Sequence, residues 1–279
     1  MSTELDLPSG TDANEGLAKE ELPTEPVGSP TFRVLGVRVD AVQIPDAIAR
    51  VEGWIAERGP SRYVAVTGMH GITESLHDIR FRRILGEAGL VVADGMPLVW
   101  LGRWHGHSTM KRRVYGPELT EAFCAVTGNK YRHFFYGGAP GVADALAQTL
   151  QQRHGICIAG TYCPPFRPLT ADEDREAVNL IESSKADIVW VGLSTPKQET
   201  WMYEHRDKLN VPAMFGIGAA FDLNTGRLKQ APAWMRENGL EWLFRLWAEP
   251  RRLWRRYILS GSVFVWNVSL ELLGLRAFD

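Results

Sequence analysis

The chain of 279 residues is short of several things, and each shortage removes a class of protein. It carries three cysteines, Cys124, Cys157 and Cys163. Their odd number and spacing match no metal site or disulfide framework, so a reducing cytoplasm is the expected setting. Its net charge is only −2, which argues against a general nucleic-acid binder. The start lacks the basic patch and apolar run of a secretory signal. The apolar run after Arg256 contains Asn267 and Glu271 and is short for a transmembrane span, so lying in a membrane interface suits it better than crossing. His70, His77, His105, His107 and His154 form no H-E-x-x-H pattern, and no zinc or other metal site is expected. Neither a G-x-S-x-G elbow nor the dinucleotide G-x-G-x-x-G is present.

What remains has the make-up of an ordinary globular protein, 45% hydrophobic and 23% charged, long enough to bury a sizeable core. The charge is uneven. Residues 1–30 hold seven acids, one base (Lys19) and four prolines, net −6, leaving +4 for the rest. That composition predicts a disordered acidic tail. "FRVLGVRVDAV" predicts two short strands around Gly36, and a helix follows from Asp46 to Gly59. Then apolar runs ("YVAVTG", "LVVADG", "HFFYGG", "ICIAGTY", "DIVWVGL", "AMFGIGAAF") alternate with helical patterns. Continuously apolar strands between helices predict an α/β fold: a mostly parallel, Rossmann-like sheet with helices on both faces. The alternation stops near Ala231, and five of the ten tryptophans fall beyond it. The expected division is therefore a tail over 1–30, an α/β core over 31–231 and a C-terminal helical appendage over 232–279.

Ligands of open α/β sheets bind where the strands end. Four strand ends stand out: Thr67, Asp94, Gly137–Gly138, and the stretch from Ser194 to Glu199. Asp94, in "VVADGMP", reads either as a helix cap or turn residue or as a general base. Gly137 and Gly138 either let a phosphate approach the backbone or simply turn the chain tightly. Lys197 and Gln198 are solvated or aimed at a ligand, and Glu199 reads as a first-turn acid. Asp172-x-Asp174 looks like a metal-binding acid pair but sits after Thr170, where acids open a helix. In "PRRLWRRYI", Arg251, Arg252, Arg255 and Arg256 fall on one helical arc and Leu253, Trp254, Tyr257 and Ile258 on the other. Such a helix suits an anionic membrane surface, or else docks on its own core.

In order along the chain, "DGMPLVW", "RRVYGPEL", "FFYGGAPGVADAL", "STPKQETW", "GIGAAFDLNTGRLKQAPAWMRENGLEWLFRL" and "EPRRLWRRY" resemble the WecG/TagA/CpsF family of bacterial glycosyltransferases, from about Leu35 to Ile258. The resemblance implies inverting transfer of a sugar from a UDP-sugar to a polyprenyl-diphosphate-linked saccharide, without metal or cofactor. The reaction would take place on the cytoplasmic face of the cell membrane, in exopolysaccharide or other cell-surface glycan synthesis. It assigns catalysis to Asp94, substrate contacts to Thr67, Arg113 and Gln198, and membrane docking and site completion to Arg245, Arg251 and Arg252. Many members have Asn where this chain has Met69, followed by His70, and Gly-Thr-Asp or Gly-Ser-Asp where it has Gly116-Pro117-Glu118. These departures bear on donor and acceptor identity, with N-acetylmannosamine, its uronic acid and glucose all candidates. Two rivals are a non-catalytic module that docks on membranes and binds lipid-linked glycan, and a nicotinamide-dependent oxidoreductase. A homo-oligomer stays open.

Overall fold

The computed structural model describes residues 30–278, so the expected acidic tail lies outside the described residues but for Pro30. The chain begins with a hairpin, β1 (Thr31–Val34) and β2 (Val37–Asp40), turned at Leu35 and Gly36, both with positive φ. Next come α1 (Ile44–Glu57), β3 (Arg62–Thr67), α2 (Met69–His77), α3 (Ile79–Gly86), β4 (Leu90–Ala93) and α4 (Met96–Trp104). The second half of the sheet follows: α5 (Gly116–Thr127), β5 (Arg132–Gly137), α6 (Val142–His154), β6 (Cys157–Tyr162), α7 (Ala171–Ser184), β7 (Ile188–Gly192), α8 (Lys197–His205) and β8 (Ala213–Gly216). Each apolar run named above forms a strand, with one correction. In "AMFGIGAAF" the strand stops at Gly216, and Ala220–Asn224 form a short helix, α9. Apolarity alone cannot separate a buried strand from a buried helical turn.

The eight strands lie in the order β1-β2-β4-β3-β8-β7-β5-β6, all parallel except the β1–β2 hairpin. Both faces are covered, so alternate residues of one strand enter different cores. In β4, Val91 and Ala93 pack on one side and Leu90 and Val92 on the other. The chain runs from β3 outward to β4, crosses to β5, and returns through β7 to β8 beside β3. Register then levels the carboxyl ends: Thr67 lies opposite Ala93, and Gly137 opposite Gly192. The functional candidates sit on this rim, as the switch of strand order predicts.

After β8 the chain is helical: α10 (Ala233–Glu237), α11 (Glu241–Ala248), α12 (Pro250–Trp254), a π-helical turn (Arg255–Leu259) and α13 (Ser260–Leu272). This segment is sewn to the sheet's own core. Phe264 and Val268 of α13 are buried in the cluster that includes Ile72 and Val91. The Glu271 carboxylate accepts the Leu35 N–H at 3.2 Å, and the Thr73 hydroxyl donates to the Ser260 carbonyl. No helix among the described residues is long and apolar enough to cross a membrane.

Candidate active site

Asp94 extends one residue beyond β4, and its N–H donates to the Thr67 carbonyl at 2.7 Å, tying it to the end of β3. Gly95, not Asp94, caps α4, and no side chain caps that helix. The capping reading of Asp94 therefore fails: its carboxylate Oδ1 is enclosed without a hydrogen-bond partner. Two glycines make room here. A Cβ on Gly71 would stand 2.0 Å from the Thr67 hydroxyl, and one on Gly68 would stand 2.9 Å from the Asp94 carbonyl oxygen.

Around Asp94 lie more buried polar atoms without hydrogen-bond partners: Thr67 Oγ1, His70 Nδ1 (3.5 Å from the Glu74 carboxylate), Gln198 Oε1, Glu199 Oε2 and Arg256 Nε. Native interiors pair nearly all such atoms, so a concentration of exceptions marks a place built for something else. Burial pushes the Asp94 carboxyl up to about 7; Arg113, Arg256 and Arg245 pull it down, while Glu241 pushes with the burial. Burial, and then the Arg256 charge, hold His70 down at about 4, so it is neutral at pH 7. The result is a carboxylate that titrates near neutrality inside a cationic surround, as a general base requires.

Arg113 sits 3.9 Å over the Tyr115 ring and donates to the Glu241 carboxylate, which also accepts the Tyr115 hydroxyl at 2.7 Å. Burial works against its charge, but Asp94 and Glu241 outweigh it and hold the guanidinium above its ordinary value. Arg245 on α11 turns inward too and is likewise raised: burial opposes its charge, while Tyr257, Glu241, Tyr115 and Asp94 favour it. The single arc of four arginines does not survive. A π turn holds more residues per turn than an α-helix, so the expected spacing of 100° per residue breaks at Arg255. Arg251, Arg252 and Arg255 stay exposed, whereas Arg256 turns in toward Asp94, and burial pulls its guanidinium below the ordinary value. The opposite face divides as well: Leu253 is buried, while Trp254 and Ile258 are exposed.

Beside this pit lies a cleft of about 1010 Å³ at the ends of β5, β7 and β8, lined by Gly138, Ser194, Lys197, Gly218 and Arg252 among others. In its wall Trp201 stacks on Tyr136 at 4.2 Å and on His205 at 4.3 Å. Gln198, buried under the end of β8, joins pit to cleft, because a Cβ on Gly218 would stand 3.2 Å from its Oε1. Gly137 needs its glycine: φ is +122°, and a Cβ would meet the Gly192 carbonyl oxygen at 2.7 Å. The Gly138 N–H is spent, however, donating to that carbonyl at 3.0 Å. Of the two readings of this pair, tight turning accounts for the geometry seen. The Asp172-x-Asp174 pair opens α7 in a capping box between Thr170 and Glu173. Asp172 pairs with Arg175, and Asp174 with His205 and Lys208.

Two residues escaped the sequence reading. Glu199 does lie in the first turn of α8, but there is more to it than that. It is fully buried, its Oε1 accepting from Thr195 and Gln198, and burial raises its pKa. Glu241 lay inside the quoted run "GLEWLFRL", but only the need of a buried Arg113 for a counter-charge would have pointed to it. The model of the family described as "Glycosyl transferase WecG/TagA/CpsF family" matches residues 32–277. A relative from Bacillus spizizenii, N-acetylglucosaminyldiphosphoundecaprenol N-acetyl-beta-D-mannosaminyltransferase, is 30% identical over 187 residues, 66% of this chain and 70% of its own.

Proposed function

The chain belongs to the glycosyl transferase WecG/TagA/CpsF family, and we propose on that premise that Asp94 is the base of an inverting transfer. In this reading a sugar moves from a UDP-sugar to a saccharide carried on polyprenyl diphosphate, the acceptor class named for the Bacillus relative. The observation that carries it is the Asp94 carboxyl, its Oδ1 enclosed without a hydrogen-bond partner, titrating near 7 within reach of three arginine charges.

The acceptor hydroxyl gives its proton to Asp94 as its oxygen bonds to the anomeric carbon. The bond from that carbon to the diphosphate breaks on the opposite face, and UDP leaves carrying the electron pair. Negative charge thus grows on the diphosphate, where preorganised cations lower the barrier most. Arg245 and Arg256 are placed for that task. Arginine suits it through its fixed fork of donors. The donor occupies the cleft lined by Lys197 and Arg252, with Gln198 and Thr67 bridging toward the base. His70, held neutral, serves as a hydrogen-bonding group rather than a charge. In this reading the reaction needs no divalent metal: arginines fill that place, and the Asp172-x-Asp174 pair is committed to its own partners. Exposed Arg251 and Arg255, with Trp247 and Trp254 nearby in sequence, hold the enzyme peripherally to the anionic inner leaflet.

The test is a panel of UDP-sugars incubated with undecaprenyl-diphosphate-linked N-acetylglucosamine, read by mass spectrometry and UDP release. Product with one donor, with its new linkage inverted relative to the donor, supports the reading. A chain that binds the lipid-linked sugar but releases no UDP with any donor overturns it.

A further inference from the structure

We propose that a groove between α2, the π turn and α13 holds the first isoprene units of the lipid-linked acceptor. The proposal rests on the acceptor class given above and assigns it a binding site. The groove encloses about 500 Å³ and is lined by Met69, Trp242, Tyr257, Gly261, Val265 and Trp266 among others. Its walls are mostly apolar and aromatic, and of its two serines, Ser262 and Ser269, the second turns its hydroxyl back on the Val265 carbonyl at 2.8 Å.

The groove starts at the charged centre. Met69 precedes His70 and Tyr257 follows Arg256, and the Arg256 charge acts on both His70 and Asp94. With Arg245 and Arg256 given to the donor diphosphate, an acceptor whose saccharide hydroxyl reaches Asp94 has an apolar channel open beside it for its prenyl chain. The far end opens at Val265 and Trp266, both more than half exposed, from which a longer chain continues outward. A phospholipid separates its phosphate from its acyl chains by a glycerol diester, whereas a prenyl diphosphate carries its hydrocarbon directly on the phosphate, which suits an apolar channel opening beside a charged centre.

Gly261 supplies the independent observation. It lies inside continuous helix, has no positive φ, and a Cβ there would meet nothing within 4 Å. Glycine inside a helix is destabilising relative to alanine or leucine. No turn and no close contact requires it here. What its missing side chain does is keep the groove open.

Gly261→Leu fills the groove while improving helix propensity, and Gly261→Ala fills it in part. Steady-state kinetics with undecaprenyl-diphosphate-linked N-acetylglucosamine should show KM raised about tenfold or more in the leucine variant, since excluding even two methylenes is worth roughly that. Alanine should give a smaller rise. The same headgroup on a methyl stub should react with both variants as with wild type, and thermal stability should hold or increase. Anionic vesicles without acceptor should bind all three proteins alike. An unchanged KM for the undecaprenyl acceptor overturns the proposal, as does an equal loss on the methyl stub. Reduced vesicle binding by Gly261→Leu overturns it too, making the groove a bilayer contact. If the wild type itself transfers no sugar to either acceptor, it is the functional reading that fails.

Discussion

Asp94 is reached from two sides by parts of the chain that solve different problems. The α/β core supplies Thr67 from the end of β3, fixed by strand register, and Gln198 and Glu199 from the start of α8, with glycines that let backbone and side chain come close. The helical segment after Ala231 supplies Glu241, Arg245 and Arg256. The first set builds an enclosed pit, and burial raises the Asp94 carboxyl. Arg113 of the α/β core pulls it back first, and Arg256 and Arg245 of the second set follow, against Glu241, leaving it at about 7. The surfaces differ in the same way. The core's large apolar residues are mostly covered, whereas the segment exposes Trp247 by 82% and Trp266 by 66%. In the proposed reading, the core would house the base and the helical segment would tune its charge and hold it near a membrane surface.

The largest effect should come from the carboxylate shared by both regions. Asp94→Asn should lower kcat by about 10²–10⁴, the usual contribution of a general base, while UDP-sugar binding persists. The fold should gain where activity is lost. Asp94 titrates near 7 in the folded protein against an ordinary 3.8, so wild-type stability falls as pH rises between those values. The variant lacks that loss, and its melting temperature should exceed wild type more at pH 8 than at pH 4. Wild-type kcat/KM should fall below pH 7 as the base takes up a proton; His70, at about 4, cannot produce that limb. Turnover of Asp94→Asn near the wild-type rate would remove the base from the mechanism.

The next effects separate inner from outer cations of the helical segment. Arg256→Gln should reduce kcat on the order of 10²-fold, the scale seen when one charge-stabilising donor is removed, with vesicle binding little changed. Arg251→Glu with Arg255→Glu should do the reverse. Each lost charge weakens binding to anionic vesicles, by about fivefold at low salt given roughly 1 kcal/mol per residue, and turnover on a short-chain acceptor should stay the same. If both variants lose the same function, the division between inner and outer arginines is wrong. Glu241→Gln sharpens the contrast further. It removes a negative charge that raises Asp94 and releases Arg113, so the acidic limb of kcat/KM should move to lower pH.

Most of the sheet was legible because buried parallel strands are written locally, as apolar runs between glycines and helical patterns. Asp94 and Thr67 could be named because strand ends are where ligands gather. The helical segment was less legible for a definite reason. A helical wheel assumes uniform rotation, and the π turn at Arg255–Leu259 breaks it, sending Arg256 inward and leaving Arg255 outside. Glu199 and Glu241 were hidden differently. Each begins a helix, where an acid is ordinary, and only tertiary packing shows that both are buried. The Gly138 amide could not have been excluded from phosphate binding without seeing the Gly192 carbonyl in front of it.

The smallest expected effect tests the side of the cleft that belongs to the sheet alone. Asp172 is exposed and pairs with Arg175 three residues on, at 3.1 Å. Such a surface pair contributes about 0–1 kcal/mol. Asp174 is lowered despite some burial, because His205 and Lys208 hold its charge. The capping box between Thr170 and Glu173 would keep the start of α7 in place without Asp172. Asp172→Ala should therefore keep kcat within about twofold of wild type and shift the melting temperature slightly, as surface changes do. Its turnover in excess chelator should match turnover with magnesium or manganese. Metal-dependent transfer in the wild type, lost on Asp172→Ala, would move charge stabilisation from the arginines of the helical segment to the acids of α7.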